Sequence, residues 1–325
     1  MQNDIHQGNT KLQFRFVADP LDFFILILRN LFLTLVTFGL YYPWARAARL
    51  RFIAEHTLLG SHHFRYTGHG KEILIGYLKV FGLLFAIGLL QALMSRLLLP
   101  DHEVIFFGWS LVLAGIYGLL ILIATWGAWS YRLSRHQYRG IQFSLDRSQR
   151  DTYMRDATRD FVLTVLTLGL WAPVSMFHAQ RNLLNPTRYG NLAFSYRGDL
   201  KVSYLLSLKN FILTVITFGL YTPWAIAARL NYDYNRIAVG EKAQLVARVR
   251  GSEILLTFFV PLLMTTLTMG LAYPWITVWA RNRFLSQLAV AGEIDYAGVE
   301  QRKSSETSVG ETLGNVLDMD VSFGV

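Results

Sequence analysis

The hydrophobic residues of this chain fall in long runs that break at a recurring pattern. Two runs, 104–131 and 254–280, contain no Asp, Glu, Lys or Arg. Each exceeds the roughly 20 residues that cross a bilayer as a helix. These lengths favour an integral membrane protein over the alternative, a soluble helical protein with very apolar cores. Four shorter runs are similar in character: 30–45, 80–95, 161–177 and 210–228.

The breaks in these runs follow the pattern T-x-x-T-x-G-L-x-x-P, which occurs four times without gaps. A glycine can adopt the left-handed conformation that ends a helix, and a proline suits the first turn of the next helix. Each copy therefore predicts two helices joined by a tight turn. The glycine and proline positions are Gly39 and Pro43, Gly169 and Pro173, Gly219 and Pro223, and Gly270 and Pro274.

Short segments of alternating apolar and polar residues separate the helical runs, a pattern typical of β-strands. If these segments pair into one small sheet, they must all lie on the same side of the membrane. They are found near residues 12–17, 63–68, 141–145, 193–198, 245–251 and 293–298.

Together these patterns predict an all-α integral membrane protein with four helix-turn-helix repeat units, one additional transmembrane hairpin and short strands between the units. We expect disorder at the N-terminus, 1–10, and in the acidic tail, 301–325. The repeat units are predicted at 11–72, 132–201 (with a basic linker), 202–251 and 252–300, and the additional hairpin at 73–131.

The distribution of Arg and Lys bears on the topology. The Arg-rich segments 45–71 and 132–159 flank a short acidic connection, 100–103, so the positive-inside tendency places the connection outside and both flanks inside. If every basic segment is inside, each repeat unit is a hairpin that enters and leaves the membrane from one face. The alternative has six alternating spans, with 45–71, 132–159 and 226–253 inside and the amphipathic second helices on the membrane surface.

Composition narrows the classes of function. The net charge of +9 suits contact with anionic lipid headgroups, whereas no recognition helix or nucleic-acid fold pattern supports a nucleic-acid partner. Cysteine is absent, which excludes disulfides and thiolate sites. No phosphate loop, dinucleotide fingerprint or hydrolase motif occurs. His62, His63 and His69 lack the further ligands of a metal site, so we predict no enzyme, no cofactor and no metal.

A polar stripe at helical spacing marks three of the motif helices. Arg29 and Lys209 precede two of the stripes and are candidate charges within the membrane. The stripes either converge on a solvated path or form hydrogen bonds between packed helices. The stripe residues are Asn30, Thr34 and Thr37; Asp160, Thr164 and Thr167; and Asn210, Thr214 and Thr217.

Several segments resemble a known family when they are taken together. They are Phe14-Arg-Phe16, the first turn with its following Trp44, the segment 63–68 and Asp318-Met-Asp320. These residues resemble the YjgN-like family of bacterial inner-membrane proteins, although Val174 replaces the tryptophan expected after the second motif proline. The resemblance implies a multi-pass location in the inner membrane. It implies no reaction and no catalytic residues, because the family is a domain of unknown function.

The sequence therefore predicts a multi-pass protein of the bacterial inner membrane without enzymatic activity. One hypothesis is a transporter or channel for a small solute. The alternative is a membrane scaffold or assembly factor that binds a protein or lipid partner. The sequence leaves oligomerisation open.

Overall fold

Within the part of the chain that the structure describes, ten strands and ten α-helices alternate in the order strand, two helices, strand. The computed structural model describes residues 11–98, 102–296 and 298–300, so the disorder predicted for 1–10 and 301–325 lies outside the described residues. The strands are β1 (Leu12–Phe16), β2 (Thr57–Leu59), β3 (His62–Tyr66), β4 (His136–Tyr138), β5 (Ile141–Leu145), β6 (Thr187–Tyr189), β7 (Leu192–Tyr196), β8 (Ile237–Val239), β9 (Ala243–Ala247) and β10 (Leu288–Gly292). The helices are α1 (Pro20–Val36), α2 (Tyr42–Glu55), α3 (Gly70–Leu98), α4 (Glu103–Arg135), α5 (Arg150–Leu166), α6 (Ala172–Leu184), α7 (Leu200–Ile216), α8 (Thr222–Tyr234), α9 (Gly251–Leu267) and α10 (Tyr273–Leu285).

The strands form one closed antiparallel barrel. Each strand pairs with its neighbours in sequence, and the barrel closes where Leu12 of β1 lies opposite Val290 of β10. Because neighbouring strands run in opposite directions, all odd-numbered strands finish at the same end of the barrel. All five helical hairpins therefore leave the barrel from that one end, and the tight β-turns lie at the other end.

The barrel overturns the prediction of an all-α protein. Local alternation located β1, β3, β5, β7 and β9, but the even-numbered strands up to β8 have only three residues each, too few to display an alternating pattern. The last strand was predicted near 293–298, which is wrong. It is β10, and its residues 288–290 are all buried, so they do not alternate. Closure of the barrel joins distant parts of the chain, which no local pattern encodes.

Aromatic side chains fill the barrel interior. Tyr138 and Tyr189 are buried there with Leu59 and Val239, and Tyr296 from the segment after β10 packs against them. The Tyr138 hydroxyl donates to the Leu59 carbonyl (2.8 Å) and the Tyr189 hydroxyl to the Tyr138 carbonyl (3.0 Å), so these buried hydroxyls are satisfied. Burial raises the pKa of Tyr189 to about 12. The barrel thus contains a packed core.

The helices form a closed ring, in which each helix contacts the next and α10 contacts α1. Among the described helices, α3 and α4 are long and apolar enough to cross a membrane, judged by length and composition. At 1.5 Å per residue these helices are about 43 and 50 Å long, whereas α1, α5, α7 and α9 are about 25 Å long. The apolar run 254–280 is divided between α9 and α10. The described helices therefore include two candidate membrane spans, fewer than the six apolar runs found in the sequence.

The four copies of the motif adopt the same turn. In the first copy, the Gly39 amide donates to the Thr34 carbonyl (2.7 Å) and the Phe38 amide to the Leu35 carbonyl (3.1 Å), a pair of hydrogen bonds that closes helix ends. Both Phe38 (φ 50°) and Gly39 (φ 89°) are left-handed, so the closing residue is one position earlier than the predicted glycine. Pro43 lies in the first turn of α2, as expected. The counterparts of Phe38 are Leu168, Phe218 and Met269.

The second threonine of the motif stabilises this turn. In the third copy, the Thr217 hydroxyl donates to the Leu213 carbonyl (2.7 Å) and accepts from the Tyr221 amide (3.0 Å). The side chain thereby bridges the end of α7 and the start of α8. The equivalent hydroxyls make the same pair of bonds: Thr37, Thr167 and Thr268.

The substitution Gly219→Ala should lower the free energy of unfolding by about 1 kcal/mol, because an alanine in the left-handed conformation is strained. The added methyl group meets no atom within 4 Å, so backbone strain is the only expected cost. Thermal unfolding of the detergent-solubilised protein measures the change. The matched control is Gly82→Ala, which adds a methyl group in equally open space on helix α3 and should not destabilise. Equal effects of both variants would contradict the role assigned to the turn.

The substitution Thr217→Val should cost about 1 kcal/mol, because it removes two hydrogen bonds at the turn. Thr214→Val is the control, since the Thr214 hydroxyl donates to no residue that the structure describes. Chemical or thermal unfolding in detergent compares the two. If Thr217→Val is as stable as Thr214→Val, the hydroxyl does not hold the turn.

Candidate functional site

An open groove of about 780 Å³ lies between α5, α6 and α7. The hairpins of the four motif copies are numbered in chain order, so the first hairpin is α1–α2, the second α5–α6, the third α7–α8 and the fourth α9–α10. Its volume is within the range of small-molecule sites. Three side chains that carry or can carry positive charge line it: Arg159, His178 and Lys201. The remaining lining residues are apolar or aromatic: Leu163, Trp171, Val174, Leu200, Tyr204 and Leu205. The groove therefore combines a largely apolar wall with a basic region.

A buried carboxylate organises the basic region. Asp160 is 1% exposed, and its Oδ2 lies 2.6 Å from Nδ1 of His178. Its Oδ1 accepts from the guanidinium of Arg159 (3.1 Å) and from the indole N–H of Trp171 (3.1 Å). Because a carboxylate only accepts hydrogen bonds, Nδ1 of His178 carries a proton in this contact. These contacts with Asp160 hold Arg159, Trp171 and His178 in fixed positions.

Arg159 is oriented by a second carboxylate. Its guanidinium lies 3.8 Å from Asp156, one turn earlier on α5, and is 51% exposed. Asp156 in turn accepts from the side-chain amide of Asn182 on α6 (3.1 Å). The stem of Arg159 is therefore fixed between α5 and α6 while its charged end reaches the groove.

The same position in the other hairpins is uncharged. Asn30 and Asn210, buried like Asp160, donate to the Ala45 and Ala225 carbonyls of their own second helices (3.4 and 3.2 Å). The second hairpin thus carries a charged version of a contact that is neutral in the first and third hairpins. Pro261 occupies this position in the fourth motif helix.

Among the described residues, no hydrogen bond joins the polar stripe of one hairpin to that of another. The Thr34 and Thr164 hydroxyls donate to carbonyls of their own helices, Asn30 and Asp160 (2.7 Å each), and the second threonines hold the turns. Each stripe therefore lies within its own hairpin. Arg29 and Lys209, the candidate intramembrane charges, are exposed on the outer faces of α1 and α7.

A joint is the contact between the second helix of one hairpin and the first helix of the next. The joint between α6 and α7 differs in its packing from the joints between α2 and α3 and between α8 and α9. Trp44 lies against Gly70 at the start of α3, and Trp224 against Gly251 at the start of α9. A methyl group on Gly251 would lie 2.4 Å from the Trp224 ring, and one on Gly70 would lie 2.6 Å from the Trp44 ring, so each tryptophan requires its glycine.

At the equivalent positions the groove has Val174 and Leu200. Both residues therefore differ from the tryptophan and glycine of the other two joints, and both line the groove. The departure at Val174 seen in the sequence is thus located at the groove wall.

A second buried network lies on the other side of α6. Asp233 of α8 accepts from Arg229 (2.7 Å), from Gln180 of α6 (2.8 Å) and from the Tyr196 hydroxyl (2.9 Å). Arg229 also donates to Ser203 of α7 (2.8 Å). Burial, together with the Asp233 carboxylate, raises the pKa of Tyr196. Every charged group here is paired within the protein, so the network ties α6, α7 and α8 together and leaves no open position for a ligand.

Sequence reasoning missed His178 and Lys201. A single histidine on an amphipathic helix has no local signal, and the lysine is one of many basic residues. Their partners lie on neighbouring elements, so proximity to Asp160 and Arg159 emerges only when α5, α6 and α7 pack. No group of three or more His, Asp or Glu side chains that could hold a metal ion occurs within 11–98, 102–296 and 298–300.

Comparison with known proteins gives the chain a family. It is 24% identical over 353 aligned positions to the "Inner membrane protein YjgN" of Salmonella typhimurium, an alignment that covers 84% of this chain and 87% of the relative. This likeness, together with the two long apolar helices, supports a membrane location. No solved structure matches the chain. A family model matches residues 11–209 and 226–316, and the chain therefore belongs to the family described as "Bacterial protein of unknown function (DUF898)".

Proposed function

We propose that this protein is a non-enzymatic scaffold of the bacterial inner membrane, which inserts its helical hairpins into the bilayer from one face and holds the barrel on that face. The barrel would then present a rigid surface to a partner next to the membrane. The transport hypothesis is the alternative, and the two differ in where the polar groups meet water.

The exposed apolar turn tips are the observation that carries this proposal. The left-handed residue that precedes the glycine in each of the four turns is 95–98% exposed, and each of these residues is large and apolar. Transfer of such a side chain from water to an apolar environment is favourable by about 1.5–3 kcal/mol. Insertion into hydrocarbon therefore explains why four turns share this feature. The tip residues are Phe38, Leu168, Phe218 and Met269.

The barrel supports insertion from a single face. All hairpins leave the same barrel end, so their tips point away from the barrel together. Strand β7 pairs with β8, which places the segments 181–201 and 226–253 in one body. The alternative of six alternating spans separates these segments by the membrane and does not fit this pairing. The basic character of 45–71 and 132–159 favours the cytoplasmic face for the barrel.

A cation girdle surrounds the hairpins, defined by Arg29, Lys79, Arg159 and Lys209. Arg29, Lys79 and Lys209 each lie thirteen residues after the end of a barrel strand, and Arg159 lies fourteen residues after one. All four are exposed, with exposed apolar side chains beside them. Long basic side chains at such positions extend towards anionic headgroups while their stems stay in apolar surroundings.

The interior of the molecule favours a scaffold over a transporter. A transport path needs polar groups that face one another across water, whereas every stripe threonine except Thr214 donates to a carbonyl of its own helix. Aromatic rings fill the barrel.

Single cysteines test the insertion, because the native chain has none. In membranes opened to a water-soluble maleimide, we expect Ser61→Cys, in the turn between β2 and β3, to react. Phe218→Cys should stay unreactive until detergent is added, since hydrocarbon covers it. In intact spheroplasts only the control His102→Cys, at the start of α4, should react. Equal labelling of Phe218→Cys and Ser61→Cys in the opened membranes, before detergent is added, would place the tips in water and contradict the proposal.

Cysteine labelling also distinguishes the scaffold proposal from the transport hypothesis. We expect Thr214→Cys, on the third polar stripe, to resist a small cationic methanethiosulfonate reagent in proteoliposomes, because the stripe faces its own hairpin. Ser61→Cys is the positive control for reagent access. Rapid modification of Thr214→Cys would indicate a water-filled path and would favour transport.

A further inference from the structure

We propose that the groove between α5, α6 and α7 is a binding site for one anionic phospholipid of the surrounding bilayer. An acyl chain would lie along the apolar wall, and the phosphate would contact Arg159 and Lys201. The inference rests on the proposed insertion of the hairpins, because the groove must face the bilayer for a lipid to enter from it.

The groove walls have the chemistry of an acyl-chain site. Leu163, Val174 and Leu205 present branched aliphatic side chains, and Trp171 adds an indole ring. The indole N–H already donates to Asp160, so its remaining surface is apolar. The volume of about 780 Å³ accommodates a chain and part of a headgroup, and the open side leads to the exposed faces of the helices.

The charges at the groove select an anion. Within the described part of the chain, Lys201 has no hydrogen-bond or ion-pair partner. Arg159 is held in place by Asp156 and Asp160 yet remains half exposed. His178 is held by Asp160 at one nitrogen. A phosphodiester beside Arg159 and Lys201 supplies the negative charge that Lys201 lacks, and phosphate is a preferred partner of both side chains.

The altered joint explains why the site lies here. At two other joints an indole ring packs tightly on a glycine, Trp44 on Gly70 and Trp224 on Gly251. At this joint Val174 and Leu200 replace that pair and form part of the groove wall. The second hairpin also carries Asp160, the charged version of the buried contact. Two independent departures from the other hairpins thus meet at one groove.

The test uses the full-length protein purified in mild detergent, with native mass spectrometry to count bound lipids. Phosphatidylglycerol and phosphatidylcholine of identical chains are titrated in parallel, and inorganic phosphate is added as a competitor. We expect one tightly bound phosphatidylglycerol and no displacement by millimolar phosphate. Phosphatidylcholine should bind about tenfold more weakly, because its quaternary ammonium brings a positive charge close to Arg159 and Lys201 and leaves the lipid with no net charge.

Variants locate the bound lipid. Lys201→Gln should weaken phosphatidylglycerol binding about tenfold, whereas the control Lys242→Gln, an exposed cation in the turn between β8 and β9 at the far end of the barrel, should not change it. The double variant Val174→Trp with Leu200→Gly restores the packing pair of the other joints and should abolish the tight site. If the double variant fails to fold, the lysine pair still decides the question.

Three results would overturn the proposal: equal binding of the two lipids, equal effects of the two lysine variants, or displacement by inorganic phosphate, which would indicate a site for the free anion. Labelling of Phe218→Cys by the aqueous maleimide would instead refute insertion itself. Protection of Phe218→Cys together with absence of selective lipid binding would remove the lipid site and leave the scaffold proposal standing. The two failures are therefore distinguishable.

Discussion

Closure of ten short strands into a barrel is the constraint on which the rest of the structure depends. Strands of three to five residues are too short to be stable alone or in isolated pairs, and an open sheet would leave edges with unpaired backbone groups. Pairing β1 with β10 removes those edges. It also places the connection from each odd-numbered strand to the next even-numbered strand at one end of the barrel. The five helical hairpins form these connections and are therefore gathered into a single ring there. Their common direction results from antiparallel pairing and needs no separate cause.

The turn at the tip of each motif hairpin combines a satisfied backbone with an exposed apolar side chain. The amides of residues such as Phe38 and Gly39 close the helix end, and a threonine hydroxyl bridges to the next helix. This chemistry leaves few backbone groups in need of water, which is the condition for placing a turn in hydrocarbon. At the same time, a non-glycine residue occupies the left-handed position, at a cost in backbone strain. A tip that is internally bonded and apolar outside is suited to a bilayer and poorly suited to water.

The second hairpin departs from its counterparts in ways that reinforce one another. A charge at Asp160 in place of a neutral amide requires compensation, and Arg159, Trp171 and His178 supply it. Breaking such a buried set is costly because an uncompensated carboxylate would remain. The altered pair at Val174 and Leu200 shapes the adjacent wall. On the far side of α6, the Arg229–Asp233 network holds α8 and α7 in place, so the groove lies between elements that are themselves fixed.

The sequence by itself determined the features that depend on neighbouring residues. These are the apolar runs, the four turns, Pro43 in its helix start, five of the strands and the family resemblance, because periodicity and turn chemistry act within a few residues. It placed the helix-closing residue at Gly39 instead of Phe38, since glycine carries the stronger prior for that conformation. Tertiary structure alone decided the barrel, whose closing pair joins Leu12 to Val290, and the groove, whose charges come from three helices. Those contacts depend on which distant segments hydrogen-bond and pack together. A strand of three residues or a single histidine such as His178 shows no periodic sequence pattern, so its partners could not be predicted from the sequence.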